Sequence, residues 1–277
     1  MTSLLALVLV GALDAGVDGG VAPSFSQLLG DGGLTWSGAR VRATNEAAFA
    51  QEMLEDGWHV RFGTSNAGPV HVWWPSSYRA ETATTVIYLH GYTTDVDGAF
   101  LDHRLAAKFR DSGLNALFIV PEAPSWRSDP VYWAALDDLF DVVAKRVRVK
   151  PPHGHVTVVG HSGAYRTVAS WLNHARLSHL ILLDALYASE EDFHGWLALG
   201  EGRARQLVFV GIETVGRTEA FLKRYPNAVR LPEVPYAYDA LTPAAAKARV
   251  LFVPTDRFDH MGLIEDSRLL PWLLHTF

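Results

Sequence analysis

Chemistry first comes within reach of this chain at a serine held between glycines. Residues 156 to 165 read Val-Thr-Val-Val-Gly-His-Ser-Gly-Ala-Tyr. The first four form a short β-branched run, the pattern of a strand buried on both faces. Gly160-His161-Ser162-Gly163 then leads straight into a helical pattern carrying Ala169, Trp171 and Leu172. A sharp strand-to-helix turn leaves Ser162 Oγ exposed at the strand tip and aims the next helix's N–H groups toward an anion. A hydroxyl so placed attacks an acyl carbon once a neighbouring base takes its proton. A plainer reading stands beside it, because serine is also an ordinary helix cap.

The chemistry also needs a base, an acid and an anion hole, and other strand ends offer candidates for each. Thr84 to Leu89 is an apolar strand that ends in His90-Gly91-Tyr92. Leu180 to Leu183 ends at Asp184, Gln206 to Gly211 is followed by Glu213, and Val250 to Val253 runs into a loop holding Asp259 and His260. Loops at the carboxyl ends of parallel strands share one edge of the sheet. Ser162, Asp184 and His260 therefore converge there, in the chain order Ser, Asp, His. For the acid, Asp184 directly follows a buried strand, with helix capping or turn formation as its bland alternative; Glu213 is the second candidate. Asp256 and Asp259 lie too close to His260 in sequence, and Asp259 is expected to shape the loop.

The positioning elements repeat strand and helix from residue 84 onward, with apolar rather than alternating strands. That predicts an α/β fold, a mostly parallel sheet covered on both faces. Two strands, Gly57 to Thr64 and Pro69 to Trp74, form a hairpin-like opening at one edge. Helices are expected from about Ala99 to Asp111, and from Ser128-Asp129-Pro130 toward Arg148. Another spans about Glu190 to Leu199, and the last lies near Leu270. Residues 213 to 247 are the longest connection, interrupted by Pro232, Pro235 and Pro243, and read as a small lid.

With these residues placed, the sequence from about 55 to 277 resembles the α/β-hydrolase family. Strand followed by His90-Gly91 resembles its oxyanion loop, and Gly160-His161-Ser162-Gly163 resembles its nucleophile elbow. Ala164 departs from that motif, which prefers Gly there. A histidine after the last strand, before a closing helix, occupies the family's expected place. The resemblance implies Ser162 as nucleophile, His260 as base, and the backbone N–H groups of Tyr92 and Gly163 as the oxyanion hole. The family most often draws its acid from the later strand, which keeps Glu213 in play beside the preferred Asp184. It implies a central sheet with no large cap domain, and a metal-independent serine hydrolase acting on an ester or amide. Ala164 and the acid leave room for a second class, a binding protein that keeps the fold without turnover.

Other residues carry less. His153 and His155 precede the elbow strand at the opposite edge, and no third ligand stands near, so no metal site is expected. Asp95-Val-Asp97-Gly98 resembles the start of a calcium loop, but a helix cap explains it more simply. His161 can shape the pocket, though none of the roles above requires it, and His275 is expected at the surface. Tryptophans Trp73, Trp74 and Trp133 read as core, and only Trp126 sits where it could line a pocket.

Composition bounds the rest. A chain of 277 residues, 49% hydrophobic and 19% charged, supplies the core of one domain over residues 34–277. A net charge of −6 with no long basic run argues against nucleic acid. With no cysteine there is no disulfide, thiolate nucleophile or lipobox. No cofactor is called for. The first residues, Met1 to Ala12, form an apolar run shorter than the roughly twenty residues of a membrane span. It suits a signal-peptide core, so residues 1–33 are expected to be a signal peptide and leader that take the protein out of the cytoplasm.

Overall fold

The computed structural model describes residues 51–200, 205–235, 242–265 and 268–275. The expected leader, residues 1–33, lies outside them, as does the start of the expected domain at 34–50. Among the described residues, ten strands form one sheet in the order β1-β2-β3-β5-β4-β6-β7-β8-β10-β9. They are β1 Glu52–Leu54, β2 Gly57–Phe62, β3 Val70–Pro75, β4 Thr84–Leu89 and β5 Ala116–Pro121. After them come β6 Val156–His161, β7 Leu177–Leu183, β8 Gln206–Gly211, β9 Val229–Arg230 and β10 Val250–Pro254. Strands β1 to β3 run antiparallel at one edge, and β3 joins β5 antiparallel. From β5 through β4, β6, β7, β8 and β10 to β9, every pairing is parallel.

The parallel strands are nearly continuous in buried residues, and side chains alternating along each strand feed two separate cores. Val158, Leu180, Leu182, Phe209 and Phe252 pack with Leu139, Val168, Trp196 and Phe221 on one face. Val159, Ile181, Leu183, Val210 and Leu251 pack with Phe100, Phe109, Leu263 and Trp272 on the other. The sheet is thus covered on both sides, as its apolar strands require. No helix among the described residues is long and apolar enough to cross a membrane.

Three expected elements differ. The helix expected over 99–111 is two, Val96–Asp102 and Leu105–Asp111, because Arg104 adopts a left-handed φ of 50° between them. The helix expected from Ser128 begins only at Leu136 and ends at Arg146. The Asp129 carboxylate instead accepts the N–H groups of Ser125 and Trp126, which closes a turn in place of a helix cap. The 213–247 connection contains a helix, Val215–Leu222, the edge strand β9 and a short helix, Pro243–Ala246, so much of the supposed lid is framework. Residues 236–241 of it lie outside the described set.

Candidate active site

The elbow is built by its backbone. Strand β6 ends at His161, residues Ser162–Ala164 form a single tight turn, and the helix Tyr165–Ser170 follows. Ser162 sits at φ 54°, a left-handed conformation that costs a non-glycine residue on the order of 1 kcal/mol or more. Such strain persists only where the surroundings impose it. Here they do: a β-carbon on Gly91 would lie 2.6 Å from Ser162 Cβ, and one on Gly163 would lie 2.5 Å from the Tyr92 ring. Both glycines are required by close approach, which pins the turn between the β4 loop and the following helix. Ala164 is buried against the sheet and accommodates its methyl group without opening the turn.

The β4 loop is oriented by His90. Its Nδ1–H donates to the Gly91 carbonyl at 2.7 Å, while Nε2 meets Glu122 Oε1 at 3.1 Å and Ala123 N at 3.0 Å. In a trans peptide the next N–H points opposite to the carbonyl, so the Tyr92 N–H is turned away from His90. Beyond it, the Thr93 N–H donates to the Ser125 carbonyl at 2.8 Å. Arg166, on the helix after the elbow, donates to the carbonyls of Arg127 and Asp129. The turn carrying Trp126, which is 54% exposed, is therefore fastened to both the β4 loop and the elbow helix.

Asp184 directly follows β7, fully buried and at φ 44°. Its carboxylate accepts the N–H groups of Ile212, Glu213 and Thr214 and the Thr214 hydroxyl, at 2.8 to 3.2 Å. Those donors open the helix Val215–Leu222, where an anion is favoured by the backbone dipoles. A fifth bond, 2.7 Å from His260 Nδ1 to Oδ2, completes its coordination. Burial alone would raise the Asp184 pKa. The His260 hydrogen bond and the donors from Ile212 and Thr214 outweigh it and hold the carboxyl well below the usual range. The same hydrogen bond raises His260 above its ordinary value against the opposing effect of burial.

The sequence candidates are thus brought together unequally. Asp184 and His260 touch directly. Ser162 and His260 share no direct hydrogen bond; they are joined through His161, whose Nε2 donates to the His260 carbonyl at 3.0 Å. Glu213, the alternative acid, is exposed and accepts from the Tyr187 hydroxyl at 2.8 Å. Its carboxylate still lies close to the pair, since donor atoms of Asp184, Glu213 and His260 fall within 4.8 Å of one another. A cation there would compete for a carboxylate already committed to five donors. Asp259 shapes the loop, accepting the Gly262 N–H at 2.6 Å. Asp95 caps the helix Val96–Asp102 by accepting the Gly98 N–H. His153, His155 and His275 are exposed, and Trp73, Trp74 and Trp133 are buried. Sequence reasoning missed Thr214, Tyr187 and the bond made by His161. For Thr214 there was a signal: a hydroxyl residue in the short link between a buried strand and a helical run.

No protein-family model and no curated protein sequence matches this chain. Solved structures do match. A feruloyl esterase module from Clostridium thermocellum aligns at 14% identity and TM-score 0.51, covering 88% of this chain and 95% of that one. An S-formylglutathione hydrolase from Staphylococcus aureus aligns at 13% and 0.51, covering 79% and 96%. A fluorophosphonate-binding serine hydrolase of the same organism aligns at 12% and 0.50, covering 78% and 97%. At these identities the likeness shows the fold: the chain has the α/β-hydrolase fold, with the mostly parallel sheet expected of it.

Proposed function

We propose that this chain is a serine hydrolase that cleaves a carboxylic ester through an acyl-enzyme on Ser162. One observation carries the reading: a strained serine at a strand-to-helix turn, tied through its neighbour to a histidine that a buried aspartate grips at 2.7 Å. His260 Nε2 takes the Ser162 proton as Oγ attacks the substrate carbonyl. The developing oxyanion is held by the N–H groups of Tyr92 and Gly163, the former turned outward by the His90–Gly91 bond. Asp184 fixes the Nδ1–H tautomer and stabilises the imidazolium. That imidazolium gives its proton to the departing alkoxide as the tetrahedral intermediate collapses, releasing the alcohol. Water then attacks the acyl-enzyme, His260 takes its proton, and the carboxylic acid leaves as Ser162 is reprotonated.

Ester is favoured over amide because structural neighbours at TM-scores of 0.50 or above include esterases and serine hydrolases. Tyr187 beside His260, with Tyr165 next to it, gives the site an aromatic side on which a planar acyl or alcohol group can pack. The missing direct Ser162–His260 bond favours the competing reading of a binding protein without turnover, although catalytic hydrogen bonds often tighten only when substrate is bound. A fluorophosphonate probe separates the two. The hydrolase is labelled in wild type and unlabelled in Ser162→Ala, whereas no labelling of wild type, with no activity on short acyl nitrophenyl esters, points to the binding protein.

A further inference from the structure

We propose that His161 is a positioning residue, a fixed donor on the elbow that holds the backbone of the general base in register with the nucleophile. The inference rests on the hydrolase reading above and assigns work to a side chain which that mechanism leaves unused.

Three observations meet in this ring. Its Nε2–H donates to the carbonyl of His260 at 3.0 Å, across 99 residues of chain. Its plane lies against the His260 imidazole, with centroids 4.8 Å apart and 32° between planes. On its other side, Nδ1 approaches the oxyanion loop, lying 3.3 Å from where a Gly91 β-carbon would stand. A single buried residue, adjacent to Ser162, therefore touches the base loop and the oxyanion loop together. Only the ring's Nε2–H form can serve a carbonyl, so the tautomer is set by the contact.

The ring is itself buttressed. His103 meets it edge-on at 6.2 Å, and the Tyr88 hydroxyl bonds His103 Nδ1 at 3.0 Å. Burial pushes His161 down to about 4, and the neighbouring His260 adds to the effect when charged. The donor thus stays neutral while His260 cycles between imidazole and imidazolium. The tether bonds the elbow directly to the His260 backbone, beside the indirect route from the His260 ring through Asp184 on another strand. Freedom of about 1 Å at a general base costs up to roughly 10²-fold in rate.

The test compares His161→Phe, which keeps a buried ring without a donor, with His161→Gln, whose amide can donate from a similar reach. Expected is a fall in kcat of about tenfold to a hundredfold for His161→Phe with KM nearly unchanged, and recovery of most of the loss by His161→Gln. Fluorophosphonate labelling should slow in parallel. Wild-type protein labelled at Ser162 while His161→Phe shows wild-type kcat and labelling rate overturns this inference and leaves the hydrolase standing. Wild-type protein that is not labelled at all overturns the hydrolase first. Should His161→Phe fail to fold, nitrogen-detected NMR of the wild-type imidazoles decides: a protonated Nε2 on His161 from pH 5 to 9 supports the tether, and a protonated Nδ1 with bare Nε2 overturns it.

Discussion

Among the histidine–aspartate pairs of the described residues, two with buried or half-buried rings are given opposite characters by their surroundings. At the elbow, His260 Nδ1 meets Asp184 at 2.7 Å. In the antiparallel corner, His71 Nε2 meets Asp97 at 2.8 Å. His260 is partly open to solvent, and its pKa is raised by the Asp184 hydrogen bond. His71 is fully buried between β2 and the Phe100 ring, and burial pushes it down to about 4 in spite of Asp97. The corner aspartate spends both oxygens on Arg61, and the second ring nitrogen of His71 faces His59 at 3.0 Å. A carboxylate beside an imidazole is therefore not a catalytic signal by itself. What separates the pairs is how far each imidazole is open to solvent and whether its charged form can be tolerated.

The comparison can be broken most severely at the serine. Ser162→Ala should cost activity by about 10⁶-fold while leaving stability little changed, checked by ester turnover beside thermal melts. Next comes the same substitution at each aspartate. Asp184→Asn is expected to lower kcat by about 10⁴-fold, since an amide supports the wrong histidine tautomer. Asp97→Asn should spare kcat but destabilise the fold by about 3 kcal/mol, because it leaves the buried Arg61 charge without its carboxylate. Comparable activity losses from both variants would erase the distinction between the pairs.

Acidity sharpens it further. Activity needs neutral His260, and its pKa is raised, so the acid limb of kcat/KM should lie above the ordinary histidine value of about 6.5. The stability contribution of His260 runs the other way: present below that value and lost as pH rises through the folded one. Both aspartates are held well below the usual carboxylate range against the effect of burial. Their contributions are complete above about pH 4 and are lost as pH falls toward the folded values, which denaturant melts between pH 2 and 6 would trace. The smallest effect belongs to Glu213→Gln. Its charge helps to raise His260, so removing it should shift the acid limb downward and change kcat by less than about fivefold, the scale of an exposed charge pair.

Much of this arrangement was legible in the residues. Strands β4 and β8 fall at the bounds their apolar runs predict, because central parallel strands must be hydrophobic on both faces. The carboxyl ends of the parallel strands place Ser162, Asp184 and His260 at one edge of the sheet. Local signals with two meanings were not legible. Ser128-Asp129-Pro130 suits a helix start or a side-chain-closed turn equally well, and contacts with Arg166 from a distant helix favour the turn. The break at Arg104 leaves the apolar spacing of 99–111 intact and so hides in the pattern. His161 looked dispensable because its carbonyl partner lies far along the chain.

The central claim, an acyl-enzyme on Ser162, is tested most directly by intact-protein mass spectrometry during turnover of a slow ester, quenched with acid. The account predicts a transient mass increase equal to the acyl group, mapped to the peptide containing Ser162 and absent from Ser162→Ala. Ester hydrolysis that proceeds without any adduct, and at an undiminished rate in Ser162→Ala, would contradict it.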